Sequence, residues 1–184
     1  MPLRDYEFVQ RSLKAGRIEK FSLKGLTRAI DCTTTGRSLC KGYCCHWSPT
    51  LYPQYHQGEM ARLSPEIRCL VANDGRLGTG GCDLRDLCLA GRIPDPERAV
   101  DCVLFPLGFN SAGRLILKRW VYRWCPRCNE GEPAYISMEP NLVLLFGQAI
   151  YDDLRRRVEA AVREVTNPSN LEGSSILESF TDPK

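Results

Sequence analysis

Histidine is nearly absent from this chain, with only His46 and His56 among 184 residues. A Ser-His-Asp site or a histidine-rich metal site would have to draw on those two. None of G-x-x-x-x-G-K-S/T, G-x-S-x-G or H-E-x-x-H occurs, so hydrolase and kinase chemistry is not expected. Long apolar runs are missing as well. The most apolar stretch, Leu142 to Phe146 with Ala149 and Ile150 following, falls far short of the roughly 18 residues that a membrane-spanning helix needs. From Met1 to Lys20 charges recur every few positions, with no apolar stretch of the about seven residues that form the core of a secretory signal. Export and membrane insertion are therefore not expected, and a cytoplasmic location is. Charge of one sign is also lacking. The chain has 25 basic and 22 acidic residues in an interspersed pattern with a net charge of +3, which is not the electrostatic footprint of a nucleic-acid binder.

Cysteine is abundant, with ten in the chain. In the reducing cytosol disulfides are not the default use of so many thiols, and clustered cysteines signal metal ligation. At this length a single domain with its own core, spanning 1–184, is the expectation.

Regular structure is predicted mainly at the two ends. Apolar residues three or four apart suggest short helices around Tyr6 to Leu13 and Leu23 to Ile30. From Asp31 to Gly58 the chain is rich in Thr, Gly, Pro, Ser and Cys without a period, which is loop composition. Ser64 as cap, Pro65 at the first helical position and Glu66 in the first turn predict a helix from Pro65 to about Ala72. Two branched and aromatic runs, LFPLGF and RLILKRWVYRW, flank Asn110-Ser111-Ala112-Gly113 and predict a β-hairpin between Leu104 and Trp124. Ala134 to Met138 offers a third short strand. Asn141 can cap a long helix to about Val165, kinked or divided at Gly147, with Tyr151, Leu154, Val158, Ala161, Val162 and Val165 on one apolar stripe. The tail from 166 to 184 is rich in Asn, Pro, Ser and Gly and is predicted to be loosely held. The sum is a small, loop-rich α+β domain: a cysteine-cluster core over about 31–131, a β-hairpin and a C-terminal helix over about 141–165. So little regular structure in the middle calls for a metal staple.

The cysteines fall into three groups. Cys32, Cys40, Cys44 and Cys45 lie within 14 residues, with Gly36 and Gly42 supplying the backbone freedom a loop wrapped around a metal requires. Neighbouring side chains rarely serve one ion, so Cys44 and Cys45 can belong to two sites, or one of them can be a ligand beside a reactive thiol. Cys82 and Cys88 form the second group, followed by Cys102. Cys125-Pro126-Arg127-Cys128 is the third, and two intervening residues bring both sulfurs to one centre at zinc and iron-sulfur sites alike. His46, next to the double cysteine, is a secondary ligand candidate. Cys69 fits the apolar side of the Pro65 helix and is read as core. Trp120, Tyr122 and Trp124 are read as a half-buried strand rather than a base-stacking platform, and Arg155, Arg156 and Arg157 as the solvated side of the C-terminal helix.

Over about Cys32 to Gly131 these residues resemble the YkgJ-like cysteine-cluster proteins, a family described as a zinc- or iron-chelating domain. Cys40-x-x-x-Cys44-Cys45 is similar to the end of the family's C-x-x-C-x-x-x-C-C motif, and Leu63-Ser64-Pro65-Glu66-Ile67 to the helix start that follows it. Cys82 and Cys88 resemble the next pair, Arg98-x-x-x-Cys102-x-x-Phe105-Pro106 the R-P-x-x-C-r-x-F/Y-P stretch, and Cys125-Pro126 the closing C-P. The chain departs from the pattern in the seven residues between Cys32 and Cys40, where the family usually has two, and in Ala99 for proline; Cys69 and Cys128 are additional. The resemblance implies bound metal. A related cysteine cluster in the flagellin lysine methylase supplies an iron-sulfur precedent.

The sequence thus predicts a metalloprotein whose candidate ligands are Cys32, Cys40, Cys44, Cys45, Cys82, Cys88, Cys102, Cys125 and Cys128. The favoured cofactor is an iron-sulfur cluster of the 4Fe-4S type, in a redox or enzyme-assisting role toward a protein partner or substrate. Thiolates suit zinc equally. A non-enzymatic zinc module presenting a protein-binding surface and a metal storage or delivery protein are the alternatives.

Overall fold

The computed structural model describes residues 13–31, 63–72, 100–118, 121, 125 and 128–167. Their elements run, in chain order, β1 (Lys20–Phe21), α1 (Leu23–Leu26), β2 (Ala29–Ile30), α2 (Pro65–Ala72), α3 (Val100–Leu104), β3 (Leu107–Phe109), β4 (Arg114–Leu117), β5 (Cys128–Pro133), α4 (Ala134–Ser137), α5 (Glu139–Phe146) and α6 (Gln148–Thr166). The fold is α+β, with a hairpin and a long C-terminal helix as the sequence predicts.

The hairpin is β3 and β4, antiparallel with Leu107 opposite Leu117 and Phe109 opposite Leu115. Asn110 organises its turn: its side-chain oxygen accepts hydrogen bonds from the N–H groups of Ala112 and Arg114 at 3.0 and 2.9 Å. β1 adds to the other edge of β4 in parallel, giving the sheet order β1-β4-β3. A second, two-stranded sheet pairs β2 with β5.

Helix α2 follows its sequence signal, with Ser64 Oγ accepting from the N–H of Ile67 at 3.4 Å and Ile67 buried. Four expectations about helices, strands and caps are corrected. The helix expected to Ile30 is only α1, capped by Ser22 and closed at Thr27, because Ala29 and Ile30 pair with β5 instead. The second arm of the hairpin ends at Leu117, and Val121 lies in a helical turn rather than a strand. Ala134–Ser137 is helical, not a strand, and its Ala134 and Tyr135 are buried. Asn141 is not a cap, since Glu139 and Pro140 open α5 ahead of it, and its amide instead donates to the Val103 carbonyl of α3.

Gly147 divides α5 from α6 with φ of 87°, a left-handed value that a side chain would strain. On α6, Tyr151, Leu154 and Val158 are buried, Ala161 and Val162 are half-buried and Val165 is exposed. The stripe packs into one core with Ile18, Leu26, Ile30, Val103, Leu107 and Leu115. The Tyr151 hydroxyl donates to Glu139 Oε2 at 3.1 Å, which lets a buried phenol keep its hydrogen bond. Burial, and then that carboxylate, raise the Tyr151 pKa above its usual 10.0.

Arg157 departs from the solvated reading given to Arg155, Arg156 and Arg157. The first two are exposed, but Arg157 donates to the Ile18 carbonyl at 2.6 Å and the Glu19 carbonyl at 2.7 Å. Its guanidinium also stacks 5.1 Å from the centre of the Phe21 ring. Among the described residues, no helix is long and apolar enough to cross a membrane.

Candidate metal centre

Three candidate ligands have described side chains: Cys102, Cys125 and Cys128, all thiols and all half-buried. Cys102 lies on α3. Val100, Val103 and Leu104 of that helix, at spacings of three and four, turn into the core, leaving Cys102 on the flank.

Cys125 and Cys128 are brought together by a chain of backbone hydrogen bonds. The N–H of Lys118 donates to the Pro106 carbonyl, fixing the exit from β4. Val121 then donates to Lys118, Cys125 to Val121 at 3.0 Å and Cys128 to Cys125 at 3.1 Å. The last bond links residues three apart, the spacing of a turn. Val121 is fully buried and anchors the approach, and Cys125 packs against the core beside it.

Beyond the turn, Cys128 opens β5 in register with Ile30, which is fully buried. The ladder slips at once, pairing Ala29 with Pro133, so β5 carries extra residues over β2. Asn129 and Gly131 absorb that bulge with φ of 79° and 80°. At Gly131 a Cβ would stand only 3.2 Å from the Cβ of Asp31, so glycine permits the end of β2 to pass this closely. β2 therefore delivers the chain to Asp31, directly before Cys32 in the sequence, alongside the strand that Cys128 begins.

Cys32, Cys40, Cys44, Cys45, Cys82, Cys88 and His46 lie outside the described residues, as do Trp120, Tyr122 and Trp124, and Cys69 falls within α2. Among the described residues, no group of three or more Cys, His, Asp and Glu side chains is placed to hold a metal ion. The described part of the candidate site is thus the Cys125–Cys128 turn. A turned dithiol is a donor set that suits a thiophilic ion and needs further ligands to close a tetrahedral site.

Sequence reasoning finds the two cysteines but not their setting. Residues 128–133 read CNEGEP, without apolar alternation, so β5 gives no strand signal, and its pairing with the two residues of β2 depends on a contact distant in sequence. No family model, no curated protein and no solved structure matches the chain.

Proposed function

We propose that this protein is a metalloprotein that binds one or two thiolate-ligated centres, an iron-sulfur cluster of the 4Fe-4S type in first place, in a redox or enzyme-assisting role. The observation that carries this reading is the hydrogen-bonded turn that presents Cys125 and Cys128 together, half-buried, at the head of β5. Two thiols held on one turn form a chelating pair, and thiolates two residues apart are a recurrent ligand pattern at iron-sulfur and zinc sites. The remaining ligands are proposed from Cys32, Cys40, Cys44, Cys45, Cys82, Cys88 and Cys102. The resemblance of their spacing to the YkgJ-like proteins favours iron over zinc. A reducing compartment, in which such thiols stay available to metal, is the proposed location, and a protein substrate or partner the proposed target.

The bound centre would supply electron transfer or a Lewis-acidic iron. The chain's own part would be to hold the thiolates in position, through the bond from the Cys125 N–H to the carbonyl of buried Val121 and the pairing of Cys128 with buried Ile30.

Iron, zinc and acid-labile sulfide should be measured on protein purified without oxygen, together with its visible spectrum. Iron with matching sulfide and charge-transfer absorption is the expected result. Zinc without sulfide would replace the cluster by a structural zinc module, and absence of bound metal would overturn the proposal.

A further inference from the structure

The Cys125–Cys128 turn has a second chemistry built into it. A hydrogen bond from the N–H of one residue to the carbonyl three positions earlier, here 3.1 Å, holds the two α-carbons within about 7 Å. Disulfides span α-carbon separations of about 4.4 to 6.8 Å, so the backbone spacing of this pair is of the order a disulfide needs. Both side chains are half-buried, which leaves them open to a small reagent, whereas thiols sealed in a core are inert. The flanks hold the pair in place, Val121 by burial and Cys128 by its pairing with Ile30.

We infer that Cys125 and Cys128 form a reversible dithiol–disulfide site for low-molecular-weight disulfides, and that closing it expels the metal. The second half rests on the proposed function. In the first step one thiolate attacks the small disulfide, forming a mixed disulfide and releasing one small thiolate. The second thiolate then attacks the protein sulfur of that mixed disulfide and releases the other small thiolate. The protein dithiol gives up two electrons, the small disulfide is reduced to two thiols, and any thiol protons pass to those products. A centre that uses this pair loses both ligands together.

The test treats the full-length protein, as purified without oxygen, with oxidised glutathione. Disulfides are mapped by peptide mass spectrometry while released metal is followed with a chromogenic chelator. The expected result is a Cys125–Cys128 disulfide as the first to form, metal release in step with it, and reversal of the disulfide by dithiothreitol. In Cys128→Ser the reaction should stop at a glutathione adduct on Cys125. A first disulfide that joins other cysteines would overturn the inference, as would closure of the pair with the metal retained. If the purified protein carries no metal, the proposed function falls, and the same mapping on the apoprotein decides the dithiol site by itself. Mapping on the unmutated chain keeps the test intact should Cys128→Ser fold poorly.

Discussion

Along α6 apolar residues recur every three or four positions, and Tyr151, Leu154 and Val158 are lost from solvent. Along β5 the four residues from Asn129 to Glu132 are all exposed, and only its ends, Cys128 and Pro133, are half-buried. The helix is held by its own side chains. The strand is held by backbone pairing with β2, by the closely passing Asp31 and by the turn at its head. Removing side-chain volume should therefore damage the first region most, and occupying or oxidising thiols should act on the second.

The largest effect is expected from Leu154→Ala, which opens a cavity in the shared core. Burial at this level predicts a loss of about 3 kcal/mol in urea unfolding. A cost below about 1 kcal/mol would mean that Leu154 is not tightly packed in that core.

Next comes the contrast between neighbours on α6. Arg157→Ala removes the donors to Ile18 and Glu19 and should cost about 1–3 kcal/mol, since two carbonyls lose a charged partner. Arg156→Ala, exposed and paired with Asp153, should cost less than about 0.5 kcal/mol in the same unfolding assay. Equal costs would break the distinction between the two arginines.

A further effect appears only in alkali. With the Tyr151 pKa raised in the fold, the native protein retains a proton that the unfolded chain gives up above pH 10.0. That contribution is fully present below this pH and is lost as pH rises past it, with a slope of at most about 1.4 kcal/mol per pH unit. Unfolding measured from about pH 9 to about pH 11 should show a steeper decline for the native chain than for Tyr151→Phe, with Tyr135, raised by burial in the same direction, leaving a residual decline.

Legibility in the sequence follows the same divide. The Pro65 helix, the hairpin turn at Asn110, the break at Gly147 and the α6 stripe are all readable, because cap, turn and period are local signals. The strand β2, the helix at Ala134 and the inward reach of Arg157 are not. Each is decided by a partner far along the chain, whether Cys128 and Pro133 for β2, Arg28 for the N–H of Ala134, or the carbonyls before β1 for Arg157. At the candidate centre, spacing picks out Cys125 and Cys128. It carries no trace of the bulge that sets Gly131 against Asp31.

The grip of Arg157 on Ile18 and Glu19 spans 139 and 138 positions. A chain synthesised from its N-terminus offers those two carbonyls to water first and meets their partner only on the order of ten seconds later. The parallel strand β1, which begins at the very next residue, is left without its guanidinium clasp for that whole interval. A ribosome-bound chain ending before α6 already holds every residue that pairs β1 with β4, and what it lacks is the clasp on the two residues leading into that strand.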